Sequence, residues 1–330
     1  MRSATNATNG TSPMATTERT IWDGFEVLLL RSSDLEVAVV PELGAKVVSL
    51  KNLKTGREWM YRATNPAKLF RNKPGDDFAL SPLVGWDECL PTISPCHWRG
   101  RALPDHGEVW SASWEIDENA WEQGAIKTSV RLPRSPFKFT RTILAQGDTL
   151  SAEYEVVNLS GEPQEFLWAM HPLLALEKGD QLLLPPEIHG HLNHPWIHSL
   201  DFSCRTKTCD KAYAGPLRQG LAEILNSVSG DCLSFIWDTM DCDTLGIWLT
   251  RGGWNGHHHV ALEPANGAPD SLAVAASEWK RCGLLPPFGK KNWSVQIRLS
   301  PSTTQESANV SARNDAALPG ESSRRSLGTA

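Results

Sequence analysis

The chain has 330 residues, 40% of them hydrophobic and 21% charged, enough for one large core or two average domains. Its formal net charge of −6, with Lys and Arg dispersed along the sequence, argues against a polyanion-binding protein, so no nucleic acid and no membrane is expected as a partner. Seven cysteines, at 89, 96, 204, 209, 232, 242 and 282, form no CxxC pair, and an odd set in a chain this long reads as free thiols in a reducing compartment.

In chain order, residues 1–20 are rich in Ser, Thr and Asn and carry no apolar signal-peptide core, so they read as a disordered tail on a cytoplasmic protein. Residues 21–300 then show short apolar runs with a period of two. Strands are expected at Glu26–Arg31, Glu36–Val40, Lys46–Asn52, Lys127–Leu132, Lys138–Ala145, Leu150–Asn158, Glu165–His171, Cys232–Trp237, Leu245–Thr250, His258–Glu263 and Ser294–Leu299. Turn residues punctuate them at Lys54-Thr55-Gly56, Gln146-Gly147-Asp148, Ser160-Gly161-Glu162 and Gly252-Gly253. Many short strands without an internal repeat predict one large all-β domain, an antiparallel β-sandwich, over 21–300. Residues 301–330, with almost no large apolar side chains, read as a second disordered tail.

Two strands end alike, in His171-Pro172 and in Glu263-Pro264, and proline removes a ladder donor, which places both as strand ends. Alternation puts Phe166, Trp168 and Met170 on one face and His171 on the other; it likewise sets Val260 and Leu262 against His259, Ala261 and Glu263. An acid and a base at the rims of two strands suit a small ligand, while a satisfied structural histidine and a solvated turn are the competing readings. Gly85-Trp86-Asp87-Glu88-Cys89-Leu90-Pro91-Thr92-Ile93 and Leu103-Pro104-Asp105-His106-Gly107-Glu108-Val109-Trp110 read as long loops, either binding or merely solvated.

Fourteen tryptophans against three tyrosines hint at carbohydrate, since indoles stack on pyranose rings, although core packing accounts for most of them. The histidines at 189, 191, 194 and 198 and the run His257-His258-His259 match no standard ligand spacing, so no metal and no cofactor is expected. Phosphate-binding loops, a dinucleotide fingerprint and a nucleophile elbow are all missing from the sequence.

Taken in order, these segments resemble the aldose 1-epimerase (galactose mutarotase-like) superfamily. The resemblance rests on Pro41-Glu42-Leu43-Gly44-Ala45-Lys46-Val47-Val48-Ser49-Leu50, on Lys54-Thr55-Gly56-Arg57-Glu58, and on Gly85-Trp86-Asp87-Glu88. It continues through Asp105-His106-Gly107, Pro136-Phe137-Lys138-Phe139-Thr140-Arg141, Tyr154, Asn158, His171-Pro172 and Leu262-Glu263-Pro264. The Asn-Arg and His-Gly-Gly segments of the stricter galactose mutarotases do not occur in that form, which marks a divergent branch; the family's substrate-binding aspartate has no assigned counterpart, with Asp201 and Asp238 as the alternatives.

The resemblance implies a supersandwich with a single sugar site and an isomerase that exchanges the anomers of a free aldose. Glu263 would be the base and His171, protonated, the acid. His106, Asp87, Glu88, Trp86, Arg101, His259 and Trp254 would bind the sugar, in a monomer or homodimer. Two alternatives stand beside it: a hexose-6-phosphate 1-epimerase, for which Arg99 and Arg101 would supply cations, and a non-catalytic carbohydrate-binding sandwich.

Overall fold

The computed structural model describes residues 15–64, 68–184 and 207–301. The period-two segments build two large sheets whose neighbouring strands all run antiparallel. The first, of ten strands, runs in the spatial order Thr16–Trp22, Phe25–Arg31, Leu35–Val40, Lys46–Asn52, Trp86–Cys89, Ala169–Pro172, His258–Ala265, Thr244–Arg251 and Thr208–Ala214, with Leu174–Ala175 also paired to His258–Ala265. The second, of eight, runs Asp180–Leu183, Gly220–Asn226, Asp231–Trp237, Lys290–Pro301, Thr149–Asn158, Phe137–Gln146, Ile126–Arg131 and Glu115–Ile116. The expected antiparallel sandwich is therefore observed. No helix among the described residues is long and apolar enough to cross a membrane.

The core lies between the two inner faces. Leu28, Leu30, Val37, Val47, Trp86, Met170, Ile247 and Leu262 from the first sheet meet Phe139, Tyr154, Val156, Phe235, Val295 and Ile297 from the second in one buried cluster. Each such side chain contributes about 1.5–3 kcal/mol by leaving water. Among the described residues, seven tryptophans (59, 86, 110, 114, 168, 237 and 293) are buried. Six cysteines among the described residues (89, 96, 209, 232, 242 and 282) are free thiols.

Several expectations are corrected. Thr16–Trp22, which begins inside the stretch 1–20 read as a tail, pairs along its whole length with Phe25–Arg31. The cause is Asp23-Gly24, both at positive φ (52° and 90°), which makes the tight hairpin turn that such a dipeptide favours. Pro172 is the last residue of its strand, as expected, whereas His258–Ala265 runs one residue past Pro264. The expected strand Glu165–His171 is split: Gln164–Phe166 leaves to pair with Gly283–Leu285, while Ala169–Pro172 enters the large sheet. Trp86–Cys89, read as part of a loop, is a strand in the middle of that sheet. Residues 1–14 and 302–330, where most of the two expected tails fall, lie outside the described residues, as do Asp201 and the histidines at 189, 191, 194 and 198.

Candidate active site

Directly opposed residues of an antiparallel pair share a face. His171 opposes Asp87 while Met170 opposes Glu88, so the first pair leaves the core and the second enters it. In the same way Glu263 opposes Gly246, which in turn opposes Tyr213, and Lys211 opposes Trp248. The outer face of the ten-stranded sheet thus gathers His171, Glu263, His259, Lys211 and Trp248.

The loops of the same face wall in a cleft of about 320 Å³. His106, His171, His259, Lys211 and Asp270 supply its polar lining; Phe78, Ile93, Leu173, Trp248 and Trp254 supply apolar surface. His106 is delivered by a strained turn. Its own φ is 55°, and the following Gly107 (φ 74°) packs so closely that an added Cβ would lie 2.1 Å from the Leu90 carbonyl oxygen. The imidazole then stacks on Phe78 at 3.9 Å, and its Nδ1 lies 3.0 Å from Asp105 Oδ1. Burial works against the Asp105 carboxylate, but contact with His106 outweighs it and holds the carboxyl below its usual range.

Glu263 is buried just behind the cleft lining, against His171 and Lys211. Its Oε2 accepts a hydrogen bond from Lys211 Nζ at 2.5 Å, and its Oε1 stands 3.6 Å from His171 Nε2. Gly246 makes room for this carboxylate, since a Cβ there would lie 2.7 Å from Oε2. Burial raises the Glu263 carboxyl, and Lys211 opposes that rise. Burial also disfavours the Lys211 ammonium, yet Glu263 and Asp270 more than compensate and raise it above its usual value. His171 is held well below the ordinary imidazole range, first by burial and then by the neighbouring His106 and Lys211 charges. The protonated His171 expected from the sequence is therefore not the form this cleft favours at neutral pH. Burial also drives His259 down to about 3, which keeps it neutral.

The arrangement brings together five residues singled out in the sequence: Glu263, His171, His106, His259 and Trp254. Asp87 lies beside them, fully buried and ion-paired with Lys46, whose ammonium sits 5.9 Å from the Phe78 ring. Trp86 and Glu88 are corrections, since both face the core. Glu88 accepts four hydrogen bonds there, from Trp86 Nε1 (2.9 Å), Arg141 Nη1 (3.0 Å), Tyr154 Oη (3.0 Å) and Trp168 Nε1 (2.9 Å). A carboxylate so occupied has no capacity left for a sugar.

Arg101 is a third correction. It belongs to the two-stranded ribbon of Cys96–Trp98 and Arg101–Leu103, donates to Gln164 Oε1 at 2.7 Å, and does not line the cleft. Arg99 pairs with Glu165, and Asp238 caps the Met240 N–H elsewhere on the molecule. Sequence reasoning missed Lys211, Trp248, Phe78 and Asp270. The alternation of Lys211 with Tyr213 in Thr208–Ala214 was the available signal, but so few apolar residues accompany it that no strand was evident.

Comparison with known proteins follows this geometry. No protein-family profile matches the chain, and neither does any curated protein. Solved structures do. The Slr1438 protein of Synechocystis is 16% identical over 90% of this chain and 100% of its own, with a TM-score of 0.64. A candidate aldose 1-epimerase from Klebsiella pneumoniae is 14% identical over 91% of this chain and 85% of its own, with a TM-score of 0.67. A galactose mutarotase-related enzyme from Lactobacillus acidophilus is 16% identical over 84% and 98%, with a TM-score of 0.62. The architecture of this chain is the galactose mutarotase-like sandwich.

Proposed function

We propose that this protein is an aldose 1-epimerase that exchanges the α and β anomers of a free sugar in the cleft above Glu263. The observation that carries the reading is a set of polar atoms around one cleft that find no protein hydrogen-bond partner: Glu263 Oε1, His171 Nδ1, both ring nitrogens of His259, and Asp270 Oδ1. Buried polar groups left unpaired cost about 1–3 kcal/mol each, so several of them converging on one space call for a ligand rich in hydroxyl groups. The half-buried indoles of Trp248 and Trp254 give the apolar faces of a pyranose something to stack on.

Anomer exchange requires removal of the C1 hydroxyl proton and delivery of a proton to the ring oxygen. Glu263, held as a carboxylate by Lys211, takes the first proton on Oε1, its unpartnered oxygen. The imidazoles of His171, His259 and His106 bind and orient the hydroxyls, the first two in their neutral forms. No arginine lines the cleft among the described residues, and Lys211 is committed to Glu263 and Asp270. This favours an unphosphorylated sugar over a 6-phosphate.

The test is anomer exchange followed by NMR magnetisation transfer on a panel of free and 6-phosphorylated aldoses. Wild type should accelerate exchange of a free aldose, and Glu263→Ala should lower kcat by about 10²–10⁴. Sugar binding without acceleration in the wild type would replace this reading with that of a carbohydrate-binding module.

A further inference from the structure

An acid must return a proton to the ring oxygen, and the cleft offers an unusual candidate. Lys211 projects from the edge strand Thr208–Ala214 into the cleft, with 18% of its side chain still exposed. Its Nζ is 2.5 Å from Glu263 Oε2 and 3.6 Å from Asp270 Oδ1. One ammonium therefore stands hydrogen-bonded to the base itself, on the same side of the cleft. The oxygen of Glu263 left over, Oε1, is the one directed toward His171.

We propose that Lys211 is the general acid of this cleft and works with Glu263 as a single bifunctional pair. The assignment rests on the reading that the cleft opens an aldose ring. Glu263 Oε1 takes the C1 hydroxyl proton, the O1 electron pair closes the aldehyde C=O, and the C1–O5 bond breaks. Its electron pair passes to O5, which takes a proton from Lys211 Nζ. Ion pair has become carboxylic acid and amine, so the cleft gains no net charge at any point. After rotation about C1–C2, the O5 hydroxyl returns its proton to Nζ and attacks the other aldehyde face, while O1 recovers the proton from Glu263.

The chemistry of the neighbours agrees. Burial removes the charge from His171, and a neutral imidazole is a far weaker acid than an ammonium. The groups acting on Lys211 are Glu263 and Asp270, which favour its charged form, Cys89 from the central strand Trp86–Cys89, Tyr213 from its own strand, and His171 across the cleft. The carboxylates prevail, and the proton that the reaction needs is held on Lys211 at neutral pH.

The experiment compares wild type, Lys211→Met, Lys211→Arg and His171→Asn by NMR magnetisation transfer from about pH 5 to about pH 9. Sugar binding is followed in parallel by fluorescence of Trp248 and Trp254. Lys211→Met should lose about 10²–10⁴ in kcat with sugar binding retained. Lys211→Arg should stay comparably slow, because a guanidinium keeps the charge but does not release a proton. Wild-type kcat should run level through the histidine range. Should Lys211→Met fail to fold, the arginine variant and the wild-type profile still decide.

Recovery of wild-type kcat in Lys211→Arg would overturn the assignment, leaving Lys211 as a partner ion only. A wild-type kcat that falls as pH rises through about 6.5, with that limb lost in His171→Asn, would also overturn it in favour of an imidazolium acid. A folded wild type that accelerates no aldose defeats the epimerase reading and this assignment together, a result distinct from activity that survives in Lys211→Met.

Discussion

Gly246→Ala tests whether the placement of one carboxylate governs the reaction. Gly246 stands directly opposite Glu263 in the ladder. The added Cβ would lie 2.7 Å from Glu263 Oε2, about 0.7 Å short of the 3.4 Å at which ordinary contact begins. The carboxylate has little room to yield, being fixed by Lys211 Nζ at 2.5 Å on one oxygen and faced by His171 Nε2 at 3.6 Å on the other. A shift approaching an ångström at a reacting group costs about 10²-fold in rate. Overpacking costs about 1–3 kcal/mol, and replacing a strand glycine returns about 0.5–1 kcal/mol, so a domain of ordinary stability survives the change. Magnetisation transfer should show kcat down by one to two orders of magnitude, while thermal melting shows a folded protein with a modestly lower Tm. Wild-type exchange rates in a folded Gly246→Ala protein would refute the claim that this carboxylate is the base.

Three further outcomes follow from where the other residues lie. Glu88 sits in the core with its carboxyl pushed up by burial to about 6, so the folded state holds its proton more tightly than the unfolded chain, whose usual value is 4.5. The domain should gain about 2 kcal/mol from this group as pH falls from 7 through that window. In urea titrations, Glu88→Gln should therefore improve relative to wild type as pH rises from about 4.5 to about 7, and a pH-independent difference would contradict the burial argument. Arg101→Ala should leave kcat and KM unchanged for free and phosphorylated aldoses alike; a raised KM for the 6-phosphates alone would revive the phosphate reading. Trp254→Ala should raise KM by up to about ten-fold with little change in kcat, the loss of one stacking surface being worth about 0.5–1.5 kcal/mol. An unaltered KM would remove Trp254 from the sugar site.

The sequence disclosed the sandwich wherever strands were long and rich in branched residues, as in Phe137–Gln146 and Thr149–Asn158, whose ladder is continuous over ten residues each. Alternation also set His171 and Glu263 against apolar neighbours, and the family resemblance is what singled them out as acid and base. Trp86–Cys89 escaped notice because its four residues, hemmed in by Gly85 and Pro91, are too few to show a period, and because two adjacent acids suggest solvent. Lys211 escaped because its partner Glu263 is 52 residues away, and only the folded ladder brings them together.

The same ladder explains why adjacent acids at 87 and 88 have unrelated roles. Each has its own buried cation, Lys46 for Asp87 on the cleft side and Arg141 for Glu88 on the core side. A one-residue slip of Trp86–Cys89 against Ala169–Pro172 would exchange the two faces. Each cation would then face the other acid, whose side chain differs by one methylene, so the Arg141, Tyr154 and Trp168 donors now gathered on Glu88 would meet an acid of the wrong length. The hydrogen bonds gathered on Glu88 thus favour the observed register, which sets Asp87 on the same face as His171. The core carboxylate holds the cleft in place without entering it.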